Sequence, residues 1–143
     1  MGVSRQAAGG LALAVAGAVV VVGSLFLNWY HAPLSGPQLA LAKRIGTNLD
    51  LTGWEANSSL DVLLVICAAV VIAGVVWARS RDQSAGATYI AGAGAMATAL
   101  ALGRLADPPS SSLDLRIGLP VAIAGGVLIV LGGLAMRRFS VAQ

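Results

Sequence analysis

The side chains in this sequence that could do chemistry are few and widely spaced. His31 is the only histidine, Cys67 is the only cysteine, and the carboxylates are Asp50, Glu55, Asp61, Asp82, Asp107 and Asp114. A nucleophilic triad needs a histidine placed between a nucleophile and an orienting acid, and His31 has no second polar residue on its own helical face. A structural zinc site needs four Cys or His ligands, and a di-metal site in a bundle needs carboxylates within the helices. Neither set is present, and no glycine-rich loop follows a strand to cradle a phosphate. These residues predict a non-enzymatic protein with no catalytic group, cofactor or metal. Cys67, inside an apolar run, reads as a small packing residue.

Two charged residues are costly enough to matter. Asp61 opens an apolar run in "SSLD" (58–61), spaced as a capping box. In that arrangement Ser58 accepts from the third helical amide and the Asp61 carboxylate reaches back to the cap. An acid is also favoured at a helix N-terminus by the dipole. The sharper alternative is a proton or ion relay, because ionisable groups inside membranes are functional by default. Arg104 closes a second apolar run in "GRLADPP", where Pro108 and Pro109 end any helix by Ala106 or Asp107. Its guanidinium has two placements. It can reach head groups from a helix C-terminus, or it can turn inward and clasp Asp61 or Glu55, with Asp107 as a local partner. Trp54 and Glu55 stand just before Asp61.

The elements that must position these residues follow from composition. Of 143 residues, 57% are hydrophobic and 10% charged, against about 25% charged in a soluble domain. Four runs approach the roughly 20 apolar residues of a membrane-spanning helix: residues 7–30, 60–78, 85–103 and 119–136. The fold predicted is all-α, a single membrane domain over 1–143 built as a four-transmembrane-helix bundle. The turn "RSRDQS" (79–84) makes the second and third helices a hairpin. The longer connections, 31–59 and 104–118, then share the outer side. The first run is too long for a signal peptide and lacks a well-placed cleavage site, so it reads as a retained helix.

Basic residues near the helix ends set orientation. Arg5, Arg79, Arg81, Arg137 and Arg138 lie on one side, and Lys43, Arg44, Arg104 and Arg116 on the other, which predicts cytoplasmic termini. The net charge of +3 is scattered at helix ends and forms no stripe for a nucleic acid. The preference for Arg over Lys, with abundant Ala, Val and Gly, points to a GC-rich bacterial genome.

Within the membrane, small residues mark the packing faces. Gly10, Gly17 and Ser24 recur every seven residues in the first helix, and Gly118, Gly125 and Gly132 do so in the fourth. Such a set drifts only about 20° per step around a straight helix, which predicts two smooth faces in a left-handed bundle. The third helix, richest in Ala and Gly, is expected to be the most enclosed. Trp29, Tyr30 and Trp54 read as an outer aromatic belt, and Trp77 as an inner anchor.

In the outer loops, "NLDLTGWE" (48–55) and "SLDLRIG" (112–118) both alternate apolar and polar residues, a half-buried strand pattern. They can pair with each other as a small two-stranded ribbon. Residues 35–46 read as a short amphipathic helix with Pro37 in its first turn and Gly46 as its stop.

Together "SLFLNWY", "LTGWEANSSLDVLL" and "GRLADPP" resemble a group of small, largely uncharacterised four-helix membrane proteins of high-GC Gram-positive bacteria. Those carry Trp-Tyr, Gly-Trp-Glu-Ala and Arg-Leu-x-Asp-Pro-Pro motifs at equivalent places. The resemblance implies no activity, but it implies that Trp54, Glu55, Asp61, Arg104, Asp107 and Pro108 belong to one outer candidate cluster. The functional expectation is an accessory or scaffold subunit of the plasma membrane, in contact with the lipid bilayer and with a larger membrane-protein complex or copies of itself. A small transporter or channel subunit is the alternative.

Overall fold

Runs of Ala, Val, Leu and Gly without proline can satisfy their backbone in an apolar medium only as helices, and each long run in this chain does so. The computed structural model describes residues 5–56, 58–107 and 114–140. Its elements, in order, are α1 (Arg5–Ser24), β1 (Asn28–His31), α2 (Pro37–Ile45), β2 (Asp50–Thr52), α3 (Gly53–Ala56), α4 (Ser58–Ser80), α5 (Gln83–Ala106), β3 (Asp114–Leu115) and α6 (Gly118–Ser140). Three spans, Ser59–Ser80, Gln83–Ala106 and Gly118–Arg138, are long and apolar enough to cross a membrane. The apolar part of α1, Ala8–Ser24, is shorter. The protein is a mostly helical membrane protein with a small sheet.

α4 and α5 form the expected hairpin. Asp82 caps α5, its carboxylate accepting from the amides of Ser84 at 2.8 Å and Ala85 at 3.1 Å. Arg81 lies over the Trp77 ring, 5.3 Å from its centroid, so both residues brace the turn. α5 packs on α4 and α6, and α1 packs on α6 and, less extensively, on α4.

The seven-residue glycine ladders meet each other. A Cβ on Gly17 would lie 2.7 Å from the Gly125 carbonyl oxygen, and one on Gly132 would lie 2.7 Å from the Gly10 carbonyl oxygen. The obstructing atoms are backbone, so these positions set how closely α1 and α6 approach. Gly126 and Gly133 face the other way, against Thr98 and Ala91 of α5. α6 is therefore glycine-faced on two sides. This corrects the expectation for the third apolar helix: α6, with 44% of its span buried against 39% for α5, is the most enclosed of the three spans.

Two further corrections concern the sheet end. The first helix stops at Ser24 rather than reaching residue 30. The next amides tighten into three-residue turns, Leu25 to the Val22 carbonyl, Phe26 to Gly23 and Leu27 to Ser24. "NWYH" then extends as β1, because its aromatics suit a pleated surface and two strands are available to pair with it.

Those strands are the two "LDL" segments, but they do not pair with each other. The sheet has the order β2-β1-β3, with β1 antiparallel to both neighbours. Tyr30 stands opposite Leu51 and Leu115, and His31 opposite Asp50 and Asp114. The repeat thus marks two edges of one central strand.

The amphipathic segment forms α2. Gly46 adopts the left-handed conformation at its end (φ 70°), donating to the carbonyls of Ala42 and Lys43, the glycine stop expected of a helix C-terminus.

Candidate functional site

The predicted cluster lies at the sheet end of the bundle, and its centre is a pair of residues assigned from sequence to an interface belt. Trp29 and Tyr30 are fully buried, which corrects that assignment. The Trp29 indole N–H donates to the Ser24 carbonyl at 2.7 Å, and the ring lies against Gly118, where a side chain would collide with it. Trp29 therefore fills the space where the third rung of the glycine ladder, Ser24 and Gly118, would otherwise close. Gly53 packs against Leu25 and the same indole, joining the start of α3 to the end of α1.

Tyr30 reaches the far side. Its hydroxyl donates to the backbone carbonyl of Arg104 at 3.3 Å, tying the last turn of α5 to the central strand. Burial pushes the Tyr30 phenol above the ordinary tyrosine value, with the Arg104 charge opposing. The phenol is thus held as a neutral donor.

Trp54 and Trp77, the other two tryptophans, are 40% and 45% exposed at opposite ends of the molecule. Trp54 contacts Phe26, with ring centroids 6.4 Å apart.

Glu55 is committed locally. Its Oε2 accepts from the Thr52 amide at 3.0 Å and the Thr52 hydroxyl at 3.1 Å, while the Glu55 amide donates back to that hydroxyl at 3.4 Å. This reciprocal arrangement is a capping box in "TGWE" (52–55), not in "SSLD". Asp61 makes no such bond. It is fully buried, and neither carboxylate oxygen has a hydrogen-bond partner. The Ser58 side chain lies outside the described residues, as does Pro108.

The direct clasp by Arg104 is likewise absent. No carboxylate of a described residue lies within 4.0 Å of its half-buried guanidinium, although the field of that charge reaches Asp61 and Tyr30. What fixes this end of α5 is its carbonyl, not its charge. Asp107 is exposed, and its amide completes the helix by donating to the Gly103 carbonyl at 2.9 Å.

A second group was missed from sequence. The His31 Nδ1 lies 2.7 Å from the Asp50 Oδ1. The pair borders an open cleft of about 570 Å³ that is also lined by Asn28, Leu115, Arg116, Ile117 and Pro120. His31 is therefore not isolated, because the sheet register supplies an acid from the neighbouring strand. The available signal was the repeated "LDL", which places an aspartate at the same register on each edge.

Among the described residues no group of three His, Cys, Asp or Glu side chains could hold a metal ion. A histidine held by an acid, an arginine and an amide share one cleft. No protein-family model, curated protein or solved structure matches this chain.

Proposed function

We propose that this chain is a non-enzymatic four-span protein of a bacterial plasma membrane with cytoplasmic termini, of the small actinobacterial type its motifs resemble. In this reading it serves as an accessory or scaffold subunit or assembles as a small homo-oligomer. α1 is the fourth span. Its 20 residues extend about 30 Å at 1.5 Å per residue, matching a hydrocarbon core of about 30 Å. It also follows α6 rung by rung from Gly10 to Gly17.

The observation that carries the scaffold reading is the distribution of buried polarity. Among the described residues the only buried polar or charged side chains are Ser24 and Asp61, and both lie at the sheet end. Along the rest of the interface between helices the buried side chains are apolar and mostly small, with no polar route through the bundle.

Two measurements test this. Chemical cross-linking in membranes followed by purification in mild detergent should give a discrete oligomer or a larger complex; a monomer with no cross-linked neighbour sinks the scaffold reading. In a Cys67→Ala background, a cysteine replacing Ser35 should react with an impermeant thiol reagent from outside cells, and one replacing Ser80 should not. The reverse pattern inverts the topology.

Asp61 favours one second reading, a proton- or ion-coupled transport subunit, because a buried carboxylate without partners is costly unless it serves a task. Proteoliposomes that show no proton or sodium flux above that of an Asp61→Asn variant eliminate it.

A further inference from the structure

The cleft beside β1 combines features that select a ligand. Asp50 is engaged through Oδ1 by the His31 Nδ1 at 2.7 Å. Arg116 also lines the cleft, and no carboxylate of a described residue lies within 4.0 Å of its guanidinium. The backbone of Arg116 is fixed, since its amide donates to the Trp29 carbonyl at 2.8 Å, so the side chain projects from a braced strand end. Asn28 adds an amide to the same cleft, and His31, held through Nδ1, keeps Nε2 for a ligand. Pro120 contributes the first turn of α6, and a helix N-terminus carries partial positive charge. Of the two aspartates in register with His31, Asp114 is on the exposed strand β3 and does not line the cleft. Arg116, the Asn28 amide and the start of α6 thus set donors and positive charge against the one carboxylate of the cleft, Asp50, which His31 already engages.

The rim is apolar. Leu115 is 46% exposed and Ile117 is 68% exposed, and both precede a helix long and apolar enough to span a membrane. A polar cleft with an apolar lip at the end of a spanning helix matches a molecule whose anion is joined to hydrocarbon.

We propose that this cleft binds the phosphodiester of a phospholipid, with Arg116 as the principal contact, the Asn28 amide as a supporting donor, His31 Nε2 as a further donor in the imidazolium form, and the acyl chains crossing Leu115 and Ile117. A guanidinium pairs with phosphate oxygens through two parallel hydrogen bonds. Asp50 acts as a positioning residue that sets the His31 ring.

The test uses the full chain in mild detergent, with bound lipid counted by native mass spectrometry. Phosphatidylglycerol should be retained about tenfold more strongly than diacylglycerol of the same chains, a difference of about 1.4 kcal/mol. Arg116→Gln should lose most of that margin, and Arg116→Lys should keep part of it. An Asn28→Asp variant, which places a second carboxylate in the cleft, should also lose it. Thermal melting of each variant close to the parent's shows that the fold is retained; if Arg116→Gln melts early, Asn28→Asp decides. Equal retention of the two lipids, or unchanged retention in both variants, overturns the proposal. Soluble glycerophosphoglycerol competing at the same concentration as the lipid overturns its lipid half, assigning the cleft to free phosphate esters. The result is independent of oligomeric state, so it stands or falls apart from the scaffold reading.

Discussion

The glycine ladder between α1 and α6 and the sheet at one end of the bundle solve the same problem in opposite ways. Along the ladder, contact is made by removing side chains: Gly17 meets Gly125 and Gly10 meets Gly132 through backbone atoms. At the sheet, contact is made by adding the largest fully buried side chains of the described residues, Trp29 and Tyr30, both hydrogen-bonded to carbonyls. Lipid tails give no hydrophobic drive for helix association, so close approach and dispersion must hold the ladder. Where the helices end, backbone groups need partners, and the aromatic donors reach them.

That contrast can be broken from either side. Trp29→Ala should have the largest effect, roughly 3–5 kcal/mol for emptying a buried aromatic site. It also removes one of the two donors to the Ser24 carbonyl, leaving the Leu27 amide, and a detergent melt near the parent's would show that the ring is not a keystone. Gly17→Ala comes next, at about 1–3 kcal/mol of overpacking, because the obstructing atom is the Gly125 carbonyl. The control is Gly23→Ala, at a glycine with open space around it, which should be near neutral by the same melt.

Tyr30→Phe should cost less, roughly 0.5–1 kcal/mol for one hydrogen bond, and it should carry a pH signature. Burial raises the Tyr30 phenol above its ordinary value of 10.0. The associated stability is therefore complete below that pH and is lost as the pH climbs through the folded value. Melting temperature against pH should fall on the alkaline side in the parent and flatten in the variant; parallel curves would refute the assignment. Glu55→Gln should be smallest, under about 1 kcal/mol for one weakened cap. It is best read as faster amide exchange at Thr52.

Legibility in the sequence divides along the same line. The ladder was readable because its period lies within single helices: seven-residue spacing is a property of one strip of sequence, whereas the meeting of the two strips with each other is seen in the structure alone. The end of α1 was not readable, because "FLNWYH" is apolar enough to prolong a helix, and what ends it is pairing with strands far along the chain. Tyr30 reaches a carbonyl 74 residues away, and His31 meets Asp50 across 19. The alternation in "LDL" correctly marked two strands. Their shared partner stayed hidden because it had already been assigned to a helix. For the candidate cluster, sequence placed Glu55, Asp61 and Arg104 at one end of the bundle, but the capping box sat six residues earlier, in "TGWE". Thr52 with Glu55 and Ser58 with Asp61 satisfy the same pattern, and which one closes depends on where the helical turn begins.

The order of the sheet also has a mechanical consequence. β1 continues from α1, β3 leads into α6, β2 leads through α3 toward α4, and Tyr30 is tied to the last turn of α5. The four long helices thus converge on the sheet at one end, whereas at the opposite end α4 and α5 meet in a turn closed by Asp82 and α1 meets α6 at Gly10 and Gly132. One short strand, β1, is thereby joined to α1 by the chain, to α6 through β3 and to α5 through Tyr30, so a change in β1 reaches three long helices at once.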